Sequence, residues 1–189
     1  MAPKVKVTRE SIIEAAVEIV RKVGIEGLNA RVLATALGSS TQPIFSNFSS
    51  MSQLTDELIA YAYRSYRKLI ERIANEGKYP SYKSSGMAYI RFAKEERELF
   101  KLLFMRNTAG ESEEKAFGGY DDIISNLARD LSLSQKDASS FHFNSWAWVH
   151  GVAVMAATGY LSLEEDVISG ALSVVFNGLK AVYCNKNEK

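Results

Sequence analysis

The side chains that most often carry catalysis or bind metal ions are scarce in this sequence, which has two histidines and one cysteine. His142 and His150 are eight residues apart, about 12 Å along a helix, which is too far for both to bind one metal ion. Cys184 lies near the end of the last predicted helix, an unusual place for a catalytic thiol. The sequence contains no nucleophile-elbow, phosphate-loop or dinucleotide-binding glycine motif. We therefore expect no enzymatic activity, no catalytic residue, no cofactor and no metal site.

A second kind of chemistry, hydrogen bonding by small polar side chains, is concentrated between residues 39 and 47. Gly38 is followed by two serines, a threonine and a glutamine, and Pro43 then opens a second apolar segment. Glycine is common just after a helix, and proline is tolerated in a first helical turn. The pattern predicts two short helices joined by a tight turn, with Thr41 and Gln42 at the amino end of the second. This is the geometry of a helix-turn-helix, whose second helix enters the major groove of DNA.

A longer helix is predicted before this pair. Thr8 is expected to cap it, Gly24 is expected to end it, and its apolar residues recur at helical spacing. The predicted apolar face of this helix is Ile12, Ile13, Ala16, Val17, Ile19, Val20 and Val23. The predicted apolar face of the next helix is Val32, Leu33, Ala34, Ala36 and Leu37. Three helices of this kind would form a compact helix-turn-helix unit.

Residues 1–54 resemble the DNA-binding domain of the tetracycline-repressor (TetR) family of bacterial transcription regulators. The matching positions are Ala15-Ala16, Gly24, Leu28, Leu33-Ala34, Gly38, Phe45, Phe48 and Leu54. Two positions depart from the family pattern. Phe45 stands where the family usually has tyrosine, whose hydroxyl can reach a phosphate, and Met51 stands where it usually has lysine. The resemblance implies a partner, double-stranded DNA with a palindromic operator.

The residues expected to contact DNA divide by chemistry. Gln42 and Thr41 are expected to contact bases, because glutamine pairs with adenine through two hydrogen bonds and threonine can meet the thymine methyl group. Lys4 and Lys6, in the arm that precedes the first helix, are expected to meet phosphates or the minor groove. Arg31, Ser46 and Asn47 are expected mainly to meet phosphates. The full set is Lys4, Lys6, Arg31, Ser39, Ser40, Thr41, Gln42, Pro43, Phe45, Ser46 and Asn47.

The remainder of the chain is predicted to be helical, because no alternating strand pattern of useful length occurs. The expected helices cover about 51–75, 82–94, 98–106, a segment within 111–131 broken by two glycines, 135–158 and 163–184. Capping boxes are expected at Ser50 and Ser162. The acidic runs at 95–98 and 111–114 are expected to be solvated surface. The fold class is therefore all-α, with a helix-turn-helix domain at 1–51 and a larger helical ligand-binding and dimerisation domain at 52–189.

The last two predicted long helices are apolar on more than one face, so each needs burial on more than one side. The simplest second partner is the same helix pair of another copy, which would form a two-fold four-helix bundle. The alternative is that both helices are central in the monomer. The expected dimer residues are Val154, Val167, Ala171, Val174, Val175, Gly178 and Val182.

The segment from Trp146 to Gly151 resembles the Trp-x-x-Val-His-Gly signature of one TetR C-terminal subfamily, with Trp146 and His150 on one helix face. His150 is also consistent with a hydrogen-bonded core histidine, and the aromatic residues nearby are also consistent with core packing. The family resemblance implies that some of them line a cavity for a small effector. The candidates are Tyr89, Phe92, Phe100, Phe104, Tyr120, Phe141, Trp146 and His150.

These observations predict a cytoplasmic, homodimeric transcription regulator, most simply a repressor that a small molecule releases from DNA. The alternative is an all-α small-molecule-binding protein or enzyme whose amino-terminal helices are only structural. The first residues lead directly into a polar segment, which predicts no signal peptide. The apolar stretch from Trp146 to Leu161 is too short for a membrane span and carries His150, so no membrane partner is expected.

Overall fold

Every regular element of the computed structural model, which describes residues 7–107 and 121–184, is helical. This confirms the all-α fold class. The helices are α1 (Arg9–Val23), a short 3-10 turn (Ile25–Gly27), α2 (Ala30–Ala36), α3 (Gln42–Asn47), α4 (Met51–Asn75), α5 (Ser81–Glu95), α6 (Arg97–Phe104), α7 (Asp121–Leu131), α8 (Gln135–Thr158) and α9 (Glu165–Cys184).

The chain forms two compact units. Unit 1 contains the described residues up to Arg67 together with Glu96–Arg106, and unit 2 contains Lys68–Glu95 with the described residues from Asn107 onward. Helix α6 thus belongs with α1 to α3, although it is distant from them in sequence. The domain boundary expected between residues 51 and 52 separates a DNA-binding domain from a ligand-binding and dimerisation domain. It is a functional boundary, and it stays a prediction.

Helix α1 has the ends that the sequence predicts. The Thr8 side chain accepts a hydrogen bond from the Ser11 N–H, the Ser11 side chain accepts one from the Thr8 N–H, and Gly24 ends the helix with a φ of 76°. The predicted apolar face is confirmed except at two positions. Ile13 is half-buried. Val23 is 62% exposed; its side chain lies over Gly27 of the following turn, which places it outside the core.

The predicted apolar face of α2 is only partly correct. Asn29 caps this seven-residue helix by accepting hydrogen bonds from two N–H groups, those of Arg31 and Val32. Leu33 and Ala34 are buried, whereas Val32 is exposed. Ala36 is exposed and Leu37 is half-buried. The helix has about two turns and buries one narrow side, so residues adjacent to that side reach solvent.

A charged contact between α1 and α6 corrects the expectation that residues 95–98 are merely solvated surface. The Arg21 guanidinium donates to both carboxylate oxygens of Glu96, over 2.9 and 2.6 Å. Glu18 accepts a further bond from the same guanidinium. These hydrogen bonds, above all those to Glu96, raise the pKa of Arg21. Glu98 is paired with Lys101 as well. The other acidic run, 111–114, lies outside the described residues.

Helix ends in the rest of the chain follow the sequence closely, with two changes. Ser134 caps α8, and Gly159 ends it with a φ of 73°. At the start of α4 the Ser50 hydroxyl accepts from the Gln53 N–H, but the Gln53 side chain accepts from the Ser49 N–H, one residue earlier than a capping box requires. Helix α9 begins at Glu165, so the capping box expected at Ser162 is wrong.

Three helices of unit 2 meet around a glycine. A Cβ atom on Gly86 of α5 would lie 3.1 Å from Leu172 of α9 and 3.4 Å from Val149 of α8. A larger residue would push these helices apart, because interiors are close-packed. A second cluster, made by Leu127, Leu133, Ala138 and Phe141, joins α7 to α8. Unit 2 therefore has a continuous framework on which α8 and α9 present their outer faces.

The cap of α8 gives a stability test. The Ser134 hydroxyl accepts from the Asp137 N–H at 3.1 Å, whereas the Ser139 hydroxyl on the same helix donates to the Gln135 carbonyl. We expect Ser134→Ala to lower the free energy of unfolding by about 1 kcal/mol. Ser139→Ala should stay within about 0.5 kcal/mol of wild type. Urea denaturation at one protein concentration, followed by circular dichroism, measures both variants, and an equal effect of the two changes would contradict the capping role.

Candidate nucleic-acid interface

The turn between α2 and α3 is fixed by Gly38. Its φ is 59°, a left-handed conformation that favours glycine. The Gly38 N–H donates to the Thr35 carbonyl at 3.1 Å, and the Ser39 N–H donates to the Ala34 carbonyl at 3.0 Å. These bonds close the end of α2 and set the direction in which the chain leaves it. The predicted turn, and the predicted start of the second helix beside Pro43, are confirmed.

The inner face of α3 is fastened to α1 and α4. Ile44 and Phe48 are 0% and 1% exposed. Arg9 lies over the Phe48 ring, with 4.2 Å between the guanidinium carbon and the ring centroid, and donates to the Asn47 carbonyl at 2.7 Å. The same guanidinium pairs with Glu57 of α4 at 2.6 Å. This positioning role of Arg9 is not evident from the sequence, because its partners are 38 and 48 residues away.

The outer face of α3 carries the side chains that the sequence assigns to DNA. Gln42, Phe45 and Ser46 are exposed on the helix, as are Arg31 on α2 and Ser40 in the turn. The remaining described members of the set, Ser39, Thr41, Pro43 and Asn47, are half-buried. Thr41 is at the N-cap position of α3, but its side chain makes no capping bond. Lys4 and Lys6 lie outside the described residues. The DNA contacts themselves stay a prediction.

The histidines of α8 both pair with tyrosines of α5. The Tyr82 hydroxyl lies 3.0 Å from Nδ1 of His142, and the Tyr89 hydroxyl lies 2.9 Å from Nδ1 of His150. Trp146 stacks on His150 with 4.9 Å between ring centroids and 16° between planes, which confirms that the two share a face. Burial lowers the pKa of both histidines. Burial also raises the pKa of Tyr82 to about 12, against the opposing effect of a hydrogen bond with Ser145. The two tyrosine–histidine pairs join α5 to α8.

The candidate ligand residues do not form one group. Tyr89, Trp146 and His150 lie together in unit 2, whereas Phe141 belongs to the α7–α8 core cluster. Phe100 and Phe104 lie in unit 1, where Phe104 packs edge-on against two tyrosines of α4, Tyr63 and Tyr66. Phe92 is buried, and Tyr120 lies outside the described residues. Their role in binding a ligand stays a prediction.

A small apolar cleft of unit 2 contains none of those candidates. Its walls come from α5, α8 and the start of α9, and Lys94 is its charged residue. The Lys94 ammonium donates to the Leu163 carbonyl at 3.2 Å. The lining residues are Ile90, Lys94, Val152, Met155, Ala156, Leu161, Ser162, Leu163 and Ile168. Within the described ranges, no group of three or more His, Cys, Asp or Glu residues is placed to hold a metal ion.

The predicted dimer residues all lie where a second copy could reach them. Val154, Ala171 and Val175 are half-buried within the single chain, and the other members of the set are exposed: Val167, Val174, Gly178 and Val182. Val174 is 72% exposed, more than Val167 or Val182.

Comparison with known proteins agrees with this architecture. Residues 83–172 match the family model described as "Tetracyclin repressor-like, C-terminal domain". A protein of unknown function from Rhodococcus sp. RHA1 is 24% identical, with a TM-score of 0.76 over 95% of this chain and 100% of that one. A TetR-family protein from Vibrio parahaemolyticus is 20% identical, with a TM-score of 0.65 over 90% and 97%. A TetR-family member from Streptomyces coelicolor A3 is 16% identical, with a TM-score of 0.61 over 88% and 96%. No curated protein matches the sequence.

The fold and the α2–turn–α3 geometry define an all-helical helix-turn-helix protein. The solved structures share its fold at low identity. Residues 83–172, slightly less than half of the chain, are similar to the tetracyclin repressor-like C-terminal domain. The narrower resemblance to the Trp-x-x-Val-His-Gly subfamily stays a prediction.

The two tyrosine–histidine pairs give a pH test. Because burial lowers the histidine pKa values, the unfolded chain binds more protons than the folded one as pH falls through about 6.5, so stability must fall. We expect the free energy of unfolding to decrease from pH 7.5 to 5.5. The decrease per histidine should be well under the limit of about 1.4 kcal/mol per pH unit, because both rings are partly solvated.

The control for this test is the double variant His142→Asn/His150→Asn, which offers neutral oxygen acceptors to the tyrosines and cannot titrate. Its stability should change less over the same pH range, which lies above the range where carboxylates titrate. Denaturation at each pH measures the effect. A wild-type stability that is constant over this range, or equal slopes for the two proteins, would contradict it.

Proposed function

We propose that this protein is a sequence-specific DNA-binding transcription regulator that acts as a homodimer, and that it is a repressor released by a small-molecule effector. The observation that supports DNA binding most directly is the outer face of α3, which is exposed, small and polar beside one aromatic ring. A helix with a purely structural role more often carries long charged residues on its solvent side. The relatives described as TetR-family proteins support the same function.

Base recognition is assigned to the amino end of α3. Gln42 is exposed there and can form two hydrogen bonds with an adenine edge. Thr41 precedes it and has its hydroxyl uncommitted to capping. Arg31, at the start of α2, makes no ion pair within the part of the chain that the structure describes and is suited to a phosphate. In a two-fold dimer two such surfaces would read half-sites about one helical turn of DNA apart, roughly 34–36 Å, or a multiple of it.

Dimerisation is assigned to the outer face of α9. This helix is apolar and long enough to cross a membrane, but the core helices of water-soluble proteins can have the same length and composition. Only 11% of its apolar stretch is buried within the chain. Val167, Val174 and Val182 are exposed on it at near-helical spacing. A Cβ atom added to Gly170 or Gly178 would meet no other atom within 4 Å, so a second helix could approach closely there. We infer that the same apolar face of a second copy covers the outer face of α9, since that face matches it in character.

Effector binding is assigned to unit 2, where Tyr89 pairs with His150 and Trp146 stacks on the same histidine. An effector that weakens operator binding must itself bind more weakly, by the same factor, when the protein is on its operator. The family resemblance also supports a cytoplasmic location. The alternative, a small-molecule-binding protein or enzyme, would show no specific binding to DNA and no retention on heparin.

Sequence-specific DNA binding is tested with a duplex from the region upstream of the protein's own gene. This region is chosen because self-regulation is common in the TetR family, which the chain resembles. We expect Gln42→Ala to weaken operator binding by about 1–3 kcal/mol and to relax the preference at one base pair per half-site. Arg31→Ala should weaken binding to all sequences alike and reduce the salt slope by about one for each phosphate that Arg31 neutralises. Gel mobility shifts over a salt series measure both effects.

The matched control is Gln135→Ala, which removes an exposed glutamine from unit 2 and should leave DNA binding unchanged. If Gln42→Ala keeps the full sequence preference, the base-reading role is wrong. If the wild-type protein neither shifts DNA nor binds heparin, the alternative function is correct instead.

Dimerisation is tested with a charge on α9. Val174→Glu places a carboxylate at the most exposed valine of the expected interface, so we expect monomers that bind a full operator at least tenfold more weakly. Val174 is preferred to Val175 for this test because Val175 is half-buried. A charge at Val175 could destabilise the folded chain as well as the dimer. Lys180→Glu, also exposed on α9 but outside the valine face, is the control. Sedimentation equilibrium at micromolar concentration decides: a dimeric Val174→Glu protein, or a monomeric wild type, would refute the interface.

A further inference from the structure

The outer face of α3 carries one large apolar side chain. Phe45 is 49% exposed and lies three residues from Gln42, so the two side chains are neighbours on the same face. The main packing of this segment comes from Ile44 and from Phe48, which directly follows the helix, because both are fully buried. About half of the Phe45 ring surface remains accessible to another molecule.

The polar side chains around Phe45 are bonded within the helix. The Ser46 hydroxyl donates to the Gln42 carbonyl at 3.0 Å, and the Asn47 amide donates to the Pro43 carbonyl at 2.8 Å. The helix sequence Gln-Pro-Ile-Phe-Ser-Asn contains no charged residue. What α3 presents outward is thus a neutral surface with one amide, at Gln42, and one aromatic ring, at Phe45.

The major groove offers one apolar group to such a ring, the C5-methyl of a pyrimidine. A tyrosine at this position could turn its hydroxyl to a phosphate, but phenylalanine has no polar atom to do so. We propose that Phe45 contacts the C5-methyl group of a thymine in each half-site and makes the protein discriminate thymine from bases that lack this methyl. This inference rests on the proposed DNA-binding function and assigns a specificity-determining role to a residue of its interface.

The register of the contact follows from helix geometry. Gln42 and Phe45 are separated by about 4.5 Å along the helix axis, and successive bases of one strand are about 3.4 Å apart. The methyl group should therefore belong to a base pair one or two steps from the pair that Gln42 reads. One thymine per half-site is expected to be sensitive to Phe45.

The experiment uses the full-length protein and a palindromic duplex obtained by selecting bound sequences from a random pool. Each thymine is replaced in turn, symmetrically in both half-sites, by uracil, which lacks only the methyl group. At one position we expect wild-type binding to weaken about fourfold per methyl group, or roughly fifteenfold for both half-sites. Phe45→Ala should bind the thymine and uracil duplexes equally there. Gln42→Ala, changed on the same face, should still distinguish them.

A second comparison separates the two natural sources of the methyl group. At the sensitive position, duplexes with 5-methylcytosine or cytosine paired with guanine differ only in that methyl. Wild type should prefer the methylated duplex by a similar factor, Phe45→Ala should not, and the thymine duplex should remain the tightest ligand. Tighter binding to 5-methylcytosine than to thymine would assign the surface to modified DNA and overturn the requirement for thymine.

The outcomes distinguish this inference from the function on which it rests. Selection of no sequence by the wild-type protein would overturn both. Selection of a palindrome that is insensitive to uracil at every position would overturn the role of Phe45 alone. So would a Phe45→Ala protein that still distinguishes thymine from uracil while its circular dichroism and sedimentation match wild type.

Discussion

Helix α3 has six residues, which is far too short for a helix to be stable in water without tertiary contacts. Its position therefore depends on what lies beneath it. Ile44 and Phe48 are buried under it, and the Arg9 guanidinium holds its last carbonyl while pairing with Glu57 of the next helix. The rest of unit 1 thus holds α3 in place, while Gln42, Phe45 and Ser46 of this helix stay exposed to solvent.

The elements of unit 1 could largely be predicted from sequence, because the chain marks its own helix ends. Thr8, Gly24 and Gly38 act through bonds to neighbours three to five residues away, so local spacing reveals them. The contact between Arg21 and Glu96 spans 75 residues and leaves no trace in spacing. The error at Val23 has a different cause: its side chain lies over Gly27 of the turn that follows, and helical spacing within α1 does not show the path of that turn.

The candidate sites of the two units differ in how far sequence could predict them. The exposed face of α3 follows from helix periodicity together with the turn. The sequence could not show which aromatic candidates lie together. Phe100 and Tyr89 are both buried but belong to units 1 and 2, and a pattern that predicts burial does not say which unit a residue joins. Their neighbours distinguish them: Tyr89 pairs with a histidine, and that pairing joins two helices about sixty residues apart.

The outward residues of α3 have a consequence for how such proteins diversify. Gln42 and Phe45 contribute no described side-chain bond to the fold, whereas Ile44 and Phe48 beneath them carry the packing. Substitutions at the outer positions can therefore accumulate with little loss of stability, which is the usual limit on mutation. For the proposed DNA-binding function, this means that one copy of a duplicated gene could acquire a new target sequence in a few steps while keeping its fold.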